Sequence, residues 1–115
     1  MHSLKIPDRN ALVSSFQWRR KGGAKISPCD METSHLFYTT RMIWNNTVQS
    51  SMRVEKIKLY TFSPEYTPSY MKLAVRALLT ELATRSDLEE WMLDELNEML
   101  QHLKSINLLF HQQEI

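Results

Sequence analysis

The sequence predicts an α+β fold: a small antiparallel β-sheet, one helix packed on it, and a C-terminal antiparallel helical hairpin. In the first half, Phe16 and Trp18 alternate with polar residues ahead of Gly22 and Gly23. This pattern is typical of a half-buried strand that enters a tight turn. In the second half, apolar residues recur at spacings of four and three, which indicates amphipathic helices. A chain of 115 residues is long enough to bury one core of moderate size.

The first elements are expected to be a β-hairpin and a helix. Residues 12–20 form the first predicted strand, and residues 24–26 return as a short second strand. A helix is predicted from about residue 31 to residue 46. Its start is indicated by Ser27 and Pro28, because serine caps free backbone amides and proline fits the first helical position.

A third strand is predicted over residues 54–62. Ile57 and Leu59 alternate there with Lys58 and Tyr60, which is the period of two that a strand with one buried face requires. This strand would extend the hairpin into a larger antiparallel sheet.

Two helix starts and one heptad pattern define the predicted helical hairpin. Thr67 and Pro68 repeat the pattern of Ser27 and Pro28, and residues 86–89 have the sequence of a capping box. Leucines in a second row widen the apolar face of the last helix. The heptad seam itself comprises Met92, Leu96, Met99, Leu103, Ile106 and Phe110, with Leu93 and Leu100 in the second row.

The C-terminal part of this seam predicts a homodimer. The preceding helix is shorter, so the last turns of the final helix would extend beyond it. Either the hairpin region or a second copy of the chain would then have to cover Leu103, Ile106 and Phe110.

The chain is expected to form a single domain over residues 1–115. Within it, residues 1–10 form a flexible arm, residues 12–62 a unit of β-hairpin, helix and strand, and residues 67–112 the helical hairpin. No apolar run reaches the roughly 20 residues of a membrane span, and the first residues lack the apolar stretch of a signal peptide. We therefore expect a cytoplasmic protein that does not bind membranes.

The net charge of +1 hides an asymmetry between the two halves of the chain. Residues 1–60 hold ten Lys or Arg against four Asp or Glu, a balance of +6. The residues after 60 hold four against nine, a balance of −5. Such halves can bind different partners, bind the opposite half of a second copy, or face each other within one fold.

A basic set on the hairpin and the third strand is the first candidate binding surface. Basic residues interleaved with an aromatic ring can neutralise phosphates and stack on nucleobases. The same residue types also protect a strand edge from aggregation, so both interpretations stay open. The set comprises Trp18, Arg19, Arg20, Lys21, Lys25, Arg53, Lys56 and Lys58.

An acidic set at the start of the last helix is the second candidate surface. The helix dipole favours carboxylates in the first turn but does not explain those further along. A solvated face, acid–base or Mg²⁺ chemistry in a pocket, and mimicry of nucleic acid are the alternatives. The set comprises Asp87, Glu90, Asp94, Glu95 and Glu98.

Residues that commonly carry catalysis or hold a metal lack partners at suitable spacing. Cys29 is the only cysteine, and His35 lies six residues on, which is not the same face of a helix. No two of the four histidines have the spacing of a helical metal pair. Gly22 and Gly23 are the only glycines and form no phosphate-binding loop. We expect no enzymatic activity, no catalytic residue, no metal site and no cofactor.

Residues 18–44 resemble the opening segment of many small phage and prophage proteins. The shared pattern is a tryptophan, a basic run, a glycine turn, an isoleucine, then Asp30-Met31 and, after three residues, His35-Leu36, followed by a helix. In this chain it stands as WRRKGGAKISPCDMETSHLFYTTRMIW. The proteins that share it are mostly of unknown function. The resemblance therefore implies an origin in a mobile element, with a bacterial host cell as the location, and no particular activity.

These observations favour a non-enzymatic accessory protein that binds and occludes a host or defence-system protein, as small inhibitors of bacterial immunity do. The alternative is a nucleic-acid-binding accessory or regulatory protein that uses the basic hairpin. A small hydrolase or nuclease is a third class. Binding to nucleic acid predicts a steep loss of affinity with salt, whereas the inhibitor predicts one stoichiometric protein complex.

Overall fold

The computed structural model describes residues 15–55 and 58–113, and of residues 106–113 it describes the backbone only. In these residues the chain forms a two-stranded antiparallel sheet and three α-helices, which confirms the α+β class. The elements are β1 (Trp18–Arg19), β2 (Lys25–Ile26), α1 (Thr33–Thr47), α2 (Pro68–Leu82) and α3 (Glu90–Gln113). The predicted flexible arm over residues 1–10 lies outside the described residues.

The β-hairpin forms where the sequence predicts it, and among the described residues its strands are shorter than predicted. Residues 12–14 of the first predicted strand lie outside the described residues. Trp18 pairs with Ile26, and Arg19 pairs with Lys25. Phe16 and Trp18 are both buried, while the residue between them is exposed, as the alternation requires. The hairpin therefore presents one aromatic face to the core.

Two glycines let the hairpin reverse direction. A β-turn is closed by the Gly23 amide, which donates to the Arg20 carbonyl oxygen at 2.9 Å. Gly22 has a φ of 94° and Gly23 a φ of 97°, in the region that side chains disfavour. Both glycines are exposed, so the need for them comes from the backbone and not from close packing.

Replacing Gly23 by alanine should lower the free energy of unfolding by about 1–2 kcal/mol. A Cβ at this position meets no atom within 4 Å, so the whole cost comes from holding alanine at a positive φ. Urea denaturation followed by circular dichroism measures the change. Lys21→Ala in the same turn is the control and should shift the midpoint much less; equal shifts for the two variants would contradict the explanation.

The third strand predicted over residues 54–62 is wrong for the residues that the structure describes. Residues 58–62 have no regular secondary structure, and the sheet has two strands. Residues 56–57 lie outside the described part. Leu59 is 37% exposed, whereas Phe62 packs partly against the core, so the alternation in this segment does not mark a strand with one buried face.

The outer edge of β1 explains why no further strand pairs there. The Arg19 amide donates to the Tyr70 hydroxyl oxygen at 2.6 Å, and this hydroxyl donates to the Gln17 carbonyl oxygen at 3.1 Å. The Tyr66 hydroxyl donates to the Arg19 carbonyl oxygen at 2.9 Å. Side chains from α2 and the loop before it thus satisfy the backbone groups that a third strand would use.

The start of α1 differs from the prediction. Ser27 and Pro28 open only a 3₁₀ turn over Pro28–Asp30, and the Ser27 side chain makes no capping hydrogen bond. Met31 and Glu32 are extended, so the α-helix begins at Thr33. The serine–proline pair therefore starts a helical turn, but not the long helix.

One of the two other predicted helix starts is confirmed. At α2, the Thr67 hydroxyl accepts a hydrogen bond from the Tyr70 amide at 3.2 Å, with proline at the first position. At α3, the helix begins at Glu90, so the capping box over residues 86–89 is wrong. Asp87 instead accepts hydrogen bonds from the Thr33 hydroxyl at 2.8 and 2.9 Å. Tertiary contact with the start of α1 replaces the local cap.

The core lies between the three helices and the aromatic face of the hairpin. α1 and α2 form the closest helix pair. α3 packs on α2, and its side chains also contact α1. The largest fully buried side chains are Trp44, Phe37, Leu36, Ile43, Leu78, Leu79, Leu82 and Met99. In the described residues, no helix is both long enough and apolar enough to cross a membrane.

The heptad seam of α3 faces the core of the same chain in its first half. Met92, Leu96 and Met99 are buried, as the spacing predicts. Leu93 is 44% exposed, so its placement in a second buried row is wrong. Leu103 packs partly against the core. The side chains of Ile106 and Phe110 lie outside the described residues, and the homodimer stays a prediction.

Candidate functional site

The structure divides the predicted basic set by burial. Trp18 is 5% exposed and stacks near Tyr70, with ring centres 5.8 Å apart. Its ring is part of the core and is not free to stack on a partner, contrary to the prediction. Arg20, Lys21 and Lys25 are exposed on the hairpin. A partner can therefore contact the basic side chains of the hairpin but not the Trp18 ring.

The Arg19 side chain lies against the rings of Tyr66 and Tyr70. Its guanidinium carbon lies 5.6 Å from the ring centre of Tyr70 and 6.0 Å from that of Tyr66. These distances allow cation–π attraction. Burial raises the pKa of the Tyr70 phenol, and the hydrogen bond from the Arg19 amide and the charge of its guanidinium oppose this rise. The phenol therefore keeps its proton and its hydrogen bond to the strand.

The remaining basic residues are placed differently. Arg53 donates through Nε to the Asn45 carbonyl oxygen at 3.2 Å, near the end of α1. Lys58 is exposed in the irregular loop, and Lys56 lies outside the described residues. Arg53 and Lys58 therefore belong to the segment between α1 and α2 and not to a strand beside the hairpin.

A cleft of about 540 Å³ lies between the hairpin, α1 and the loop before α2. We call it the hairpin cleft. Its walls carry three basic side chains, one acid, several hydroxyls and a set of aromatic rings. The lining residues include Trp18, Arg19, Arg20, Lys21, His35, Thr39, Met42, Tyr60, Thr61, Phe62, Ser63, Glu65 and Tyr66.

Sequence reasoning missed the half of this cleft that α1 and the loop supply. His35 and Thr39 are one helical turn apart on α1, and Tyr60 comes from the loop that was predicted as a strand. The loop is held in place because the Asn46 side-chain amide donates to the Tyr60 carbonyl oxygen. The i, i+4 spacing of His35 and Thr39 puts both on one face of the predicted helix, but nothing in the local sequence places that face beside the hairpin.

The acidic set separates into two groups. Asp87 bonds to Thr33, and Glu95 forms an ion pair with Arg41 at 2.8 Å, with the two side chains 13% and 17% exposed. These two carboxylates hold α3 and the segment before it against α1. The other three acids lie on the solvent side of α3 as a row four residues apart: Glu90, Asp94 and Glu98.

Two exposed aromatic rings lie beside this acidic row. Tyr38 on α1 is 48% exposed and Trp91 on α3 is 40% exposed, and their ring centres are 6.2 Å apart. The guanidinium carbon of Arg41 lies 5.4 Å from the ring centre of Tyr38 and 6.0 Å from that of Trp91. Phe37 packs edge-on beneath Trp91, with 5.3 Å between ring centres. We call this surface, with the acidic row, the aromatic–acidic face.

Among the described residues, the candidates for thiol chemistry and metal binding do not form a site. Cys29 is a free, exposed thiol. Within the described residues, no three His, Cys, Asp or Glu side chains come together in a group that could hold a metal ion. An apolar cavity of about 230 Å³ lies between α1, α2 and Leu103 of α3.

Comparison with protein-family models, with curated proteins and with solved structures found no match for this chain. The interpretation of the two surfaces therefore depends on their residues alone.

Proposed function

We propose that this chain is a non-enzymatic accessory protein of a phage or other mobile element, which binds and occludes a host or defence-system protein. The aromatic–acidic face is the surface that makes this contact. The observation that carries the proposal is the exposed pair Tyr38 and Trp91 arranged around Arg41. The origin in a mobile element follows from the resemblance of residues 18–44 to small phage proteins.

The composition of this face supports a protein partner. Tyrosine, tryptophan and arginine are the residues that contribute most of the binding energy at protein interfaces. Here Arg41 is already ordered by its ion pair with Glu95 and by the rings around it. Because these side chains lose little conformational freedom on binding, the face is preorganised for contact.

The acidic row indicates the chemistry of the partner. Glu90, Asp94 and Glu98 are exposed and follow each other at the i, i+4 spacing, where like charges destabilise a helix slightly. A partner with basic side chains around an apolar centre would remove this repulsion and cover Tyr38 and Trp91. We propose such a basic surface on the host protein.

Trp91→Ala should weaken binding to the partner by about thirtyfold or more, because a central aromatic side chain is lost. The chain is used to capture a partner from host extracts, and affinity is then measured by calorimetry with the purified partner. Neutralising the acidic row (Glu90→Gln, Asp94→Asn and Glu98→Gln together) should slow association and reduce its dependence on salt.

Leu93→Ala is the matched control for Trp91→Ala. Leu93 is exposed to a similar extent on the same helix, but two residues further along it points about 200° away from Trp91. Circular dichroism verifies that each variant is folded. The proposal is overturned if no stoichiometric complex with a purified protein forms, or if Trp91→Ala and Leu93→Ala change the affinity equally.

A further inference from the structure

We infer that the hairpin cleft is a second binding site, which takes a nucleotide of a single-stranded nucleic acid. This site is distinct from the aromatic–acidic face, and the inference does not depend on the proposed protein partner. Four features of the cleft carry it: its charge, its exposed ring, a hydroxyl on its wall and its size.

The charge of the cleft favours a phosphate. Arg20 and Lys21 are exposed at the turn, and among the described residues neither forms an ion pair. Arg19 adds a third positive charge on the wall, and Lys25 lies opposite Arg19 on β2. Glu65 is the one acid that lines the cleft in the described part of the chain. The balance is positive, so an anionic ligand is attracted.

Tyr60 offers a ring on which a base can stack. It is 46% exposed and lines the cleft, and its ring packs against Phe62 with 4.7 Å between centres. The Asn46 side chain holds its backbone through the Tyr60 carbonyl. An exposed ring with a fixed position loses little freedom when a base stacks on it, and this contact tolerates any base.

Thr39 supplies a polar group on the cleft wall, and its hydroxyl has no hydrogen-bond partner in the part of the chain that the structure describes. It is 6% exposed, and no hydrogen bond of its hydroxyl is formed among the described residues. By contrast, the Thr40 and Thr47 hydroxyls of the same helix donate to the carbonyl oxygens four residues earlier, at 2.6 and 2.7 Å. The Thr39 hydroxyl lies on the cleft wall and can therefore donate a hydrogen bond to a ligand or accept one from it.

The shape of the site favours a single strand over a duplex. A cleft of about 540 Å³ is within the range of small-ligand sites and can take one base with its sugar. A base in a duplex is stacked and paired, so it cannot enter a concave site. A base in a single strand can turn out of the strand, stack on a ring and leave its phosphates to the charged rim.

The test measures fluorescence anisotropy of a labelled oligothymidylate of about ten nucleotides, a length in the range of single-strand sites. Affinity should fall about tenfold between about 50 and about 200 mM salt, as expected when two or three phosphates are neutralised. The double variant Arg20→Ala with Lys21→Ala should lose at least about tenfold in affinity. Lys104→Ala on α3, which also removes one exposed basic side chain, is the control and should bind normally.

The role of Tyr60 is tested by two substitutions. Tyr60→Phe keeps the ring and should keep the affinity, whereas Tyr60→Leu should lower it by about tenfold because stacking is lost. Trp91→Ala should leave oligonucleotide binding unchanged, which separates this site from the aromatic–acidic face. Thermal unfolding of every variant verifies the fold.

Three results would overturn the inference. The first is the absence of any binding to the oligonucleotide at about 50 mM salt, where phosphate contacts are strong. The second is equal affinity for a free nucleotide or for a duplex of the same length. The third is equal binding by Tyr60→Phe and Tyr60→Leu, since general attraction to exposed charge would then explain the binding without the cleft.

Discussion

Replacing Trp18 by alanine should lower the free energy of unfolding by about 3–5 kcal/mol, the range for buried aromatic residues. Trp18 is 5% exposed, and its ring centre lies 5.5 Å from that of Tyr66 and 6.2 Å from that of Phe62. Its loss would leave a cavity under the hairpin and detach β1 from the two tyrosines that satisfy its edge. Chemical denaturation, followed by circular dichroism and tyrosine fluorescence, measures the change.

The matched control for this variant is Trp91→Ala, which removes the same side chain from an exposed position. Trp91 is 40% exposed, so we expect a loss of about 1 kcal/mol. If Trp18→Ala unfolds at the same denaturant concentration as the wild-type protein, Trp18 is not the anchor of the hairpin. Such a result would return Trp18 to the set of candidate contact residues.

Asn45→Ala should destabilise the fold by about 2–4 kcal/mol, because two buried backbone groups lose their partner. The Asn45 side chain donates through Nδ2 to the Val54 carbonyl oxygen at 2.9 Å and accepts from the Val54 amide at 2.8 Å. Both residues are about 1% exposed, so water cannot easily replace these bonds. This pair fixes the loop after α1, which continues to Tyr60 and the hairpin cleft. Thermal and urea denaturation measure the loss.

Asn97→Ala is the control for this effect, since Asn97 is an exposed asparagine within α3. Alanine has the higher helix propensity, so that variant should be neutral or slightly more stable. Asn45→Asp provides a second comparison, because a carboxylate keeps the acceptor for the Val54 amide but faces the Val54 carbonyl without a donor. Equal stability of Asn45→Ala and Asn97→Ala would show that the loop is held by other contacts.

The two proposed surfaces lie on neighbouring sides of α1. His35 and Met42 line the hairpin cleft, while Tyr38, between them in sequence, belongs to the aromatic–acidic face. The hairpin cleft and the aromatic–acidic face therefore both take side chains from α1. The charge asymmetry of the sequence is only partly kept in the fold, since Arg41 from the basic half pairs with Glu95 from the acidic half.

Elements that depend on the conformational preferences and spacing of neighbouring residues were predictable from the sequence. Gly22 and Gly23 give a turn because few other residues accept a positive φ, and the alternation around Trp18 gives a strand with one buried face. The seam at Met92, Leu96 and Met99 faces the core because its spacing matches the helical repeat. Neighbouring residues are sufficient to set these features.

Features that depend on distant residues were not predictable. The segment over residues 54–62 has the alternation of a strand, but hydroxyls of Tyr66 and Tyr70 occupy the β1 edge that it would join. The capping box before α3 has the sequence of a cap, but Asp87 bonds to Thr33 from another element. In both cases a tertiary contact outweighs a weak local preference.

Residue type and spacing were enough to predict the α+β class, the hairpin turn, the cap of α2 and the opposite charges of the two halves. The packed fold was needed to show that Tyr66 and Tyr70 cover the Trp18 ring, and that Arg20 and Lys21 form no ion pair among the described residues. Only it placed Tyr60 and Thr39 beside them, and Tyr38 and Trp91 around Arg41. A binding surface depends on burial and on contacts between elements far apart in the chain, and local residue patterns do not encode either.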